Sequence, residues 1–196
     1  MMKKVLFFLV LCALPLTAAA QEETCCGKCS KENAVVHAIM TRTSIRKYQE
    51  RAVAADTIEM LLRAGMAAPT AINKQPWHFV VVTNKEILKQ MGGRAADAPL
   101  AILVCGDMDI AKQGHGFDYW VQDCSAATEN ILIAAHALGL GAVWTGGYPG
   151  ERSEKYQQLL SLPESLVPLN AIAIGYPAES PTPKDKWDAK KVTEIK

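Results

Sequence analysis

Ala67-Ala68-Pro69-Thr70-Ala71-Ile72-Asn73-Lys74-Gln75-Pro76-Trp77 runs directly into His78-Phe79-Val80-Val81-Val82, and its two prolines divide it into helix end, loop and strand. Pro69 disfavours helical backbone at Ala68 and cannot donate the next helical hydrogen bond, so an amphipathic helix should end at Ala68. Pro76 stops the chain again before a β-branched run, His78 to Val82, that reads as a buried strand. Between the prolines stand Thr70, Asn73 and Gln75, all able to donate and accept hydrogen bonds and none able to titrate. A pinned loop of this polarity at a helix-to-strand junction suits a neutral heterocycle with donors and acceptors along its edge. The same amides would equally satisfy the loop's own backbone.

Upstream, Ile58, Leu61, Leu62, Gly65 and Met66 recur at i, i+3, i+4, i+7 and i+8, one helical face aimed at the Pro69 loop. Asp56 with Glu59 predicts a capping pattern at that helix's start, after a loop over residues 51–55. Ser30 predicts the cap of an earlier helix, Lys31 to Met40, with Val35, Val36, Ile39 and Met40 facing inward. That helix delivers Thr41-Arg42-Thr43-Ser44-Ile45-Arg46-Lys47-Tyr48. Its Arg-x-Ser-x-Arg cluster is suited to hold a phosphate through charge-assisted bonds; surface charge around a helix end is the other reading.

Downstream, Asn84 predicts a cap for a short helix through Met91, and Pro99 to Cys105 a second buried strand. Met108 to Gly116 is short, polar and glycine-containing. Phe117 to Leu138 is the longest helical stretch, with Trp120, Cys124, Ala127, Ile131, Ala134 and Leu138 on one face and further apolar residues on the others. A helix apolar nearly all round belongs in a large core or between subunits. Gly139 is placed to end it. Strands at Ala142 to Thr145 and Leu166 to Gly175 flank a helix at Glu151 to Leu160, and a proline-rich tail from Pro177 to Pro183 must run over the surface. Alternating helices and strands indicate a mixed α/β or α+β layer fold.

The 196 residues are 49% hydrophobic and 21% charged, enough for one well-buried core. A net charge of +1 offers no electrostatic argument for nucleic acid or an anionic membrane surface. Residues 1–20 have the form of a general secretory signal peptide: Lys3 and Lys4, an apolar run from Val5 to Leu16, and Ala18-Ala19-Ala20 before Gln21. That run is shorter than the ~20 residues needed to cross a bilayer, so no integral span is expected. The chain is therefore expected to be exported, to the periplasm, without a lipid at Cys12. Residues 21–32 form a leader with Cys25, Cys26 and Cys29, whose Cys-x-x-Cys spacing fits a disulfide with one spare thiol, a redox or metal-capture tail, or an incidental leader. Cys105 and Cys124 sit in apolar runs as small buried hydrophobes. His37, His78, His115 and His136 are dispersed, with no metal-ligand spacing among them.

The Arg42 cluster, the Pro69 loop, Gly139-Leu140-Gly141-Ala142-Val143-Trp144-Thr145-Gly146-Gly147 with Gly175-Tyr176-Pro177, and Pro183-Lys184-Asp185-Lys186 follow one another in this order. Together they resemble the FMN-dependent nitroreductase family over roughly residues 33 to 188, so residues 33–196 are taken as one FMN domain. The resemblance implies an α+β, three-layer fold with a central, mostly antiparallel sheet flanked by helices, in a homodimer with each FMN between subunits. It implies that Arg42 and Ser44, with Lys184 and Lys186, hold the phosphate, Lys186 standing where relatives commonly carry arginine. Arg46 would lie beside flavin N1 and O2, and Asn73 and Gln75 at the pyrimidine edge. Trp144, Thr145, Gly146 and Gly147 would pack their backbone against the ring and donate toward N5; Thr43, Pro69, Thr70 and Ala71 complete the implied cofactor-binding set. No side chain is a catalytic nucleophile in this reading, because FMN carries the chemistry. The implied activity is ping-pong two-electron transfer from NAD(P)H to a small aromatic acceptor, nitroaromatic or quinone. Pyridine nucleotides are scarce outside the cytoplasm, so another donor is the alternative. The short 108–116 segment implies an open substrate side. Other readings are a dehalogenase-like or flavin-fragmenting relative, or a non-catalytic flavin- or metal-binding periplasmic protein.

Overall fold

A computed structural model describes residues 33–196. The signal segment, the cysteine leader and Ser30 lie outside the described residues. Four strands, β1 (Trp77–Val82), β2 (Leu100–Asp107), β3 (Gly141–Gly146) and β4 (Leu166–Gly175), form one sheet in the order β1-β2-β4-β3. Every neighbouring pair is antiparallel. Six helices surround it: α1 (Ala34–Thr41), α2 (Ala55–Met66), α3 (Lys85–Met91), α4 (Met108–Ala111), α5 (Trp120–Ala137) and α6 (Glu151–Leu159).

The period-2 alternation of a strand explains the three layers. Leu100, Ile102 and Val104 of β2 point into a cluster with Leu61 of α2 and Cys124 and Ile131 of α5. Their neighbours Ala101, Leu103 and Cys105 point the other way, against Leu88 and Met91 of α3 and Tyr156 of α6. Both central strands are covered on both faces, so they read in sequence as nearly continuous apolar runs, interrupted in β4 by the buried Asn170. The fold is the expected α+β arrangement, helices on both sides of an antiparallel sheet.

Helix α5 lies across the sheet with Trp120, Cys124, Ala127, Ile131 and Ala135 buried. It terminates as expected: Gly139 takes φ 74° and the Leu140 N–H returns to the Ala135 carbonyl at 2.8 Å. Its first three residues, Phe117–Tyr119, form a 3-10 turn instead of α-helix. Gly65 lets α2 come close to α5, since a Cβ there would stand 3.0 Å from Ile131 Cδ1 and 3.1 Å from the Phe79 ring.

Four local expectations need correction. α1 is capped by Asn33, whose side chain accepts from Val35 N, and its apolar residues Val35, Val36, Ile39 and Met40 are 49–64% exposed, with Ala38 alone buried. Composition marked that stripe as apolar but could not say which surface, if any, covers it within one chain. Helix α2 starts at Ala54 without a side-chain cap; Asp56 binds its neighbour Thr57, and Glu59 pairs with Arg63 at 2.6 Å instead. Met66 is 47% exposed where the periodicity placed it inside. Strand β1 is an edge strand rather than a buried one, with His78 and Val81 facing solvent, because among the described residues it pairs with β2 alone. A β-branched composition does not distinguish edge from centre.

Among the described residues, no helix is long and apolar enough to cross a membrane. The start of β3 is packed hard against the segment that follows α1: a Cβ on Gly141 would lie 2.5 Å from Ile45 Cγ2 and 2.7 Å from Ile45 Cβ. Gly141→Ala is expected to lower stability by about 1–3 kcal/mol through this overpacking, measured as a fall in the chemical denaturation midpoint.

Candidate functional site

The C-terminal tail is brought back to the start of the domain by pairing with residues 45–49. Gln49 N donates to Tyr176 O at 2.9 Å, Ala178 N to Lys47 O at 2.9 Å, and Gln49 Nε2 to Pro177 O at 2.9 Å. Glu179 then caps the turn, its carboxylate accepting from Arg46 N at 2.6 Å and Lys47 N at 3.2 Å. Arg51 lies over the Tyr176 ring, 3.7 Å from its centroid, a cation–π contact that pins the same crossing. Tyr48 anchors it below, its single hydroxyl proton shared between Ile45 O at 2.6 Å and Ala173 O at 3.0 Å. Burial first, and the Glu179 carboxylate second, push the Tyr48 phenol far above its ordinary value, so it remains a donor.

This crossing sets Pro181–Trp187 beside the end of α1. The two stretches enclose a groove of about 860 Å³, lined by Arg42, Thr43, Ser44 and Arg46 on one side and Lys184 and Lys186 on the other. Four cations face the groove against one carboxylate, Asp185. Arg42 is held by Glu129 of α5, Nε to Oε1 3.4 Å, and Arg46 folds back to the Ser44 carbonyl at 3.3 Å. Ser44 is fixed by a bridge to Ala142 of β3. The five residues expected at the phosphate and N1 side, Arg42, Ser44, Arg46, Lys184 and Lys186, therefore converge, with Thr43 of the wider expected set beside them, although the two groups stand about 140 residues apart in the chain.

The Pro69 loop is a separate locus and contributes nothing to that lining. Its backbone is unusual: Ile72, Asn73 and Gln75 take φ of 50°, 56° and 54°. Left-handed backbone is uncommon for any residue with a Cβ and an outlier for a β-branched one, and it persists only where the surroundings impose it. Here the Thr70 hydroxyl accepts from Gln75 N at 3.0 Å, Gln75 Nε2 donates to Asn73 Oδ1 at 3.0 Å, and Ala71 N donates to Asp123 Oδ1 at 2.9 Å. Lys74 reaches across to the carbonyls of Ala111 and His115, tying the loop to the short segment after α4. Asn73 and Gln75 remain exposed.

The Trp144–Gly147 stretch ends β3. Thr145 turns its hydroxyl to Ala171 O at 2.7 Å, and Gly147 N–H is taken by Leu169 O at 3.0 Å, leaving that amide no donor to offer a ligand. Trp144 is 38% exposed. Sequence reasoning missed Asp123, Lys74, Glu129 and Glu179, which fix the loop and the groove. An acid in the first turn of a mostly apolar helix was the available signal for Asp123.

A family model described as the nitroreductase family matches residues 39–98 and 92–176 of this chain. The chain belongs to the nitroreductase family. A protein of Methanothermobacter thermautotrophicus, provisionally named an NADH dehydrogenase/NAD(P)H nitroreductase, is 49% identical over 173 residues, 85% of this chain and 88% of its own length. The solved structure of a Bacteroides thetaiotaomicron protein with the same provisional name has a TM-score of 0.78 at 42% identity, covering 83% of this chain and 98% of that one. A provisionally named nitroreductase from Desulfovibrio desulfuricans, solved in complex with FMN, has a TM-score of 0.73 at 33% identity and covers 84% and 98%.

In this member of the nitroreductase family the two described cysteines are buried and free. Burial pushes the Cys105 thiol up to about 12 and the Cys124 thiol higher still, so neither is a thiolate near neutral pH. Among the described residues no cluster of His, Cys, Asp and Glu could hold a metal ion. His136, 2.9 Å from the Thr41 hydroxyl behind Arg42, has its pKa lowered from 6.5, first by burial and then by Arg42 and His37. As pH falls, the unfolded chain takes up that proton before the folded one, so stability declines below about pH 6.5. His136→Gln is expected to flatten the fall in thermal midpoint between about pH 7 and about pH 5, measured by calorimetry.

Proposed function

We propose that this protein is an exported, periplasmic FMN oxidoreductase of the nitroreductase type that works as a homodimer. In this reading it passes two electrons at a time from NAD(P)H or another donor to nitroaromatic or quinone-type acceptors. The observation that carries the reading is the convergence of Arg42, Ser44, Arg46, Lys184 and Lys186 on one groove. Four cations and a hydroxyl against one carboxylate fit a phosphate dianion, and charge-assisted bonds are roughly twice as strong as neutral ones. FMN, which the Desulfovibrio desulfuricans relative binds, is the cofactor that joins such a phosphate to a polar heterocycle. Held there, FMN would supply the two-electron chemistry, taking a hydride equivalent from the donor and passing it to the acceptor.

The chain's own residues bind and orient. Arg42, Thr43, Ser44, Lys184 and Lys186 would hold the phosphate, and Arg46, beside them, would supply positive charge toward the ring. Pro69, Thr70, Ala71, Asn73 and Gln75 form the edge that meets the pyrimidine. Trp144, Thr145 and Gly146, with Gly147 packed on Leu169, offer backbone to the ring. The loop does not line the groove of its own chain, and Ile39 and Met40 carry the exposed apolar stripe of α1 to the groove's edge. Both features support a twofold dimer in which one subunit's loop completes the other's groove.

The experiment is direct. Purified protein should be yellow, and anaerobic NADH, NADPH or dithiol should bleach it; colourless protein that takes up no added FMN would remove the reading. Arg42→Ala with Ser44→Ala should weaken FMN binding by about tenfold or more while leaving riboflavin binding nearly unchanged. Val36→Asp should shift the dimer toward monomer in sedimentation, and with it lower FMN retention. The mass of protein recovered from the cell envelope should correspond to a chain starting at Gln21.

A further inference from the structure

Asp123 is the conspicuous group that the proposed function does not use. It sits in the first turn of α5, is 4% exposed, and has no ion pair with any described residue. One carboxylate oxygen accepts from Ala71 N at 2.9 Å; the other is buried without a partner. Burying an uncompensated carboxylate costs several kcal/mol, only partly offset by the positive end of α5. A serine or an alanine would fill the position more cheaply if packing alone mattered. What the acid holds is the opening residue of the one loop where three non-glycine residues adopt left-handed backbone within four positions. Of that loop's side-chain tethers, Thr70, Lys74 and Gln75 belong to the loop itself, Lys74 reaching out to the carbonyls of Ala111 and His115, and Asp123 is the one side chain that reaches in from the core.

We infer that Asp123 is a positioning residue: by gripping Ala71 N–H from the core it holds Ile72, Asn73 and Gln75 in the conformation that meets the flavin ring. This rests on the FMN reading above. Asp123 itself touches no cofactor, and its influence passes through the backbone of residues 71–75. The effect should fall on recognition of the ring and spare recognition of the phosphate, which belongs to the separate Arg42 groove.

Two flavins separate these tasks. Apoprotein of the wild type and of Asp123→Ala, Asp123→Asn and Ala71→Pro is titrated with FMN and with riboflavin, following flavin fluorescence, alongside thermal midpoints and the visible spectrum of the bound flavin. Asn keeps the acceptor. Pro deletes the donor from the loop side; Thr70, at φ −132° and ψ 153°, already has the extended backbone that precedes proline. Asp123→Ala and Ala71→Pro should weaken FMN and riboflavin by the same factor, about tenfold or more, and alter the spectrum, whereas Asp123→Asn should stay within roughly threefold of wild type. Arg42→Ala, in contrast, should weaken FMN alone. If Asp123→Ala does not fold, Ala71→Pro against Asp123→Asn decides the question. Wild-type flavin affinity in Asp123→Ala or in Ala71→Pro, with or without a lower thermal midpoint, would overturn the inference, as would equal losses in Asp123→Asn and Asp123→Ala. Wild-type protein that binds neither flavin would instead overturn the functional reading on which it stands.

Discussion

The crossing of residues 45–49 with residues 176–179 is the interaction on which the site depends. Most of the tail from Pro177 onward is exposed and buries little apolar surface, so hydrophobic packing cannot place it. A handful of backbone hydrogen bonds, each worth about 0.5–1.5 kcal/mol net, the Glu179 cap and the Arg51–Tyr176 contact do so instead. Tyr48 links that crossing to the sheet by donating to Ala173 of β4. Without it the lysines at 184 and 186 would be a solvated charge pair; with it they complete a groove whose other wall is more than a hundred residues earlier.

The two parts of the candidate site are held by different means. The groove is walled by cations from two distant segments, with Arg42 held by Glu129 and Ser44 fixed by its bridge to Ala142. The Pro69 loop is rigid and strained, with left-handed backbone at three non-glycine positions, each costing of order 1–3 kcal/mol. That cost is sustainable because the loop hangs between α2 and β1, both packed on a core in which Leu61, Ile102, Ile131 and Ile172 are fully buried at about 1.5–3 kcal/mol each. A phosphate is recognised by charge and tolerates adjustment; a ring edge is recognised by the direction of amide donors and acceptors and does not.

The apolar stripe of α1 belongs to the same design. Four adjacent apolar side chains on an eight-residue helix remain open to solvent in one chain, and two of them border the groove. A face of that kind next to a binding site suits coverage by a second subunit, and it explains why periodicity alone, which detects apolarity and not its partner, assigned those residues to the core.

Much of the chain was legible without coordinates. The Asn84 cap, the placement of glycine and apolar periodicity located α3, the C-terminal end of α5 and β4, because helix capping, helix termination and strand formation are local properties of the backbone. The Arg42 cluster and the amide-bearing Pro69 loop were recognisable as motifs for the same local reason. Edge or centre for β1, inside or outside for α1, and the roles of Asp123, Glu129, Glu179 and Lys74 were decided only by tertiary structure. Each depends on what lies across a gap of dozens of residues, such as the Ala71 N–H that meets Asp123. Local pattern sets which segments form and what chemistry they carry; long-range packing sets which of them meet.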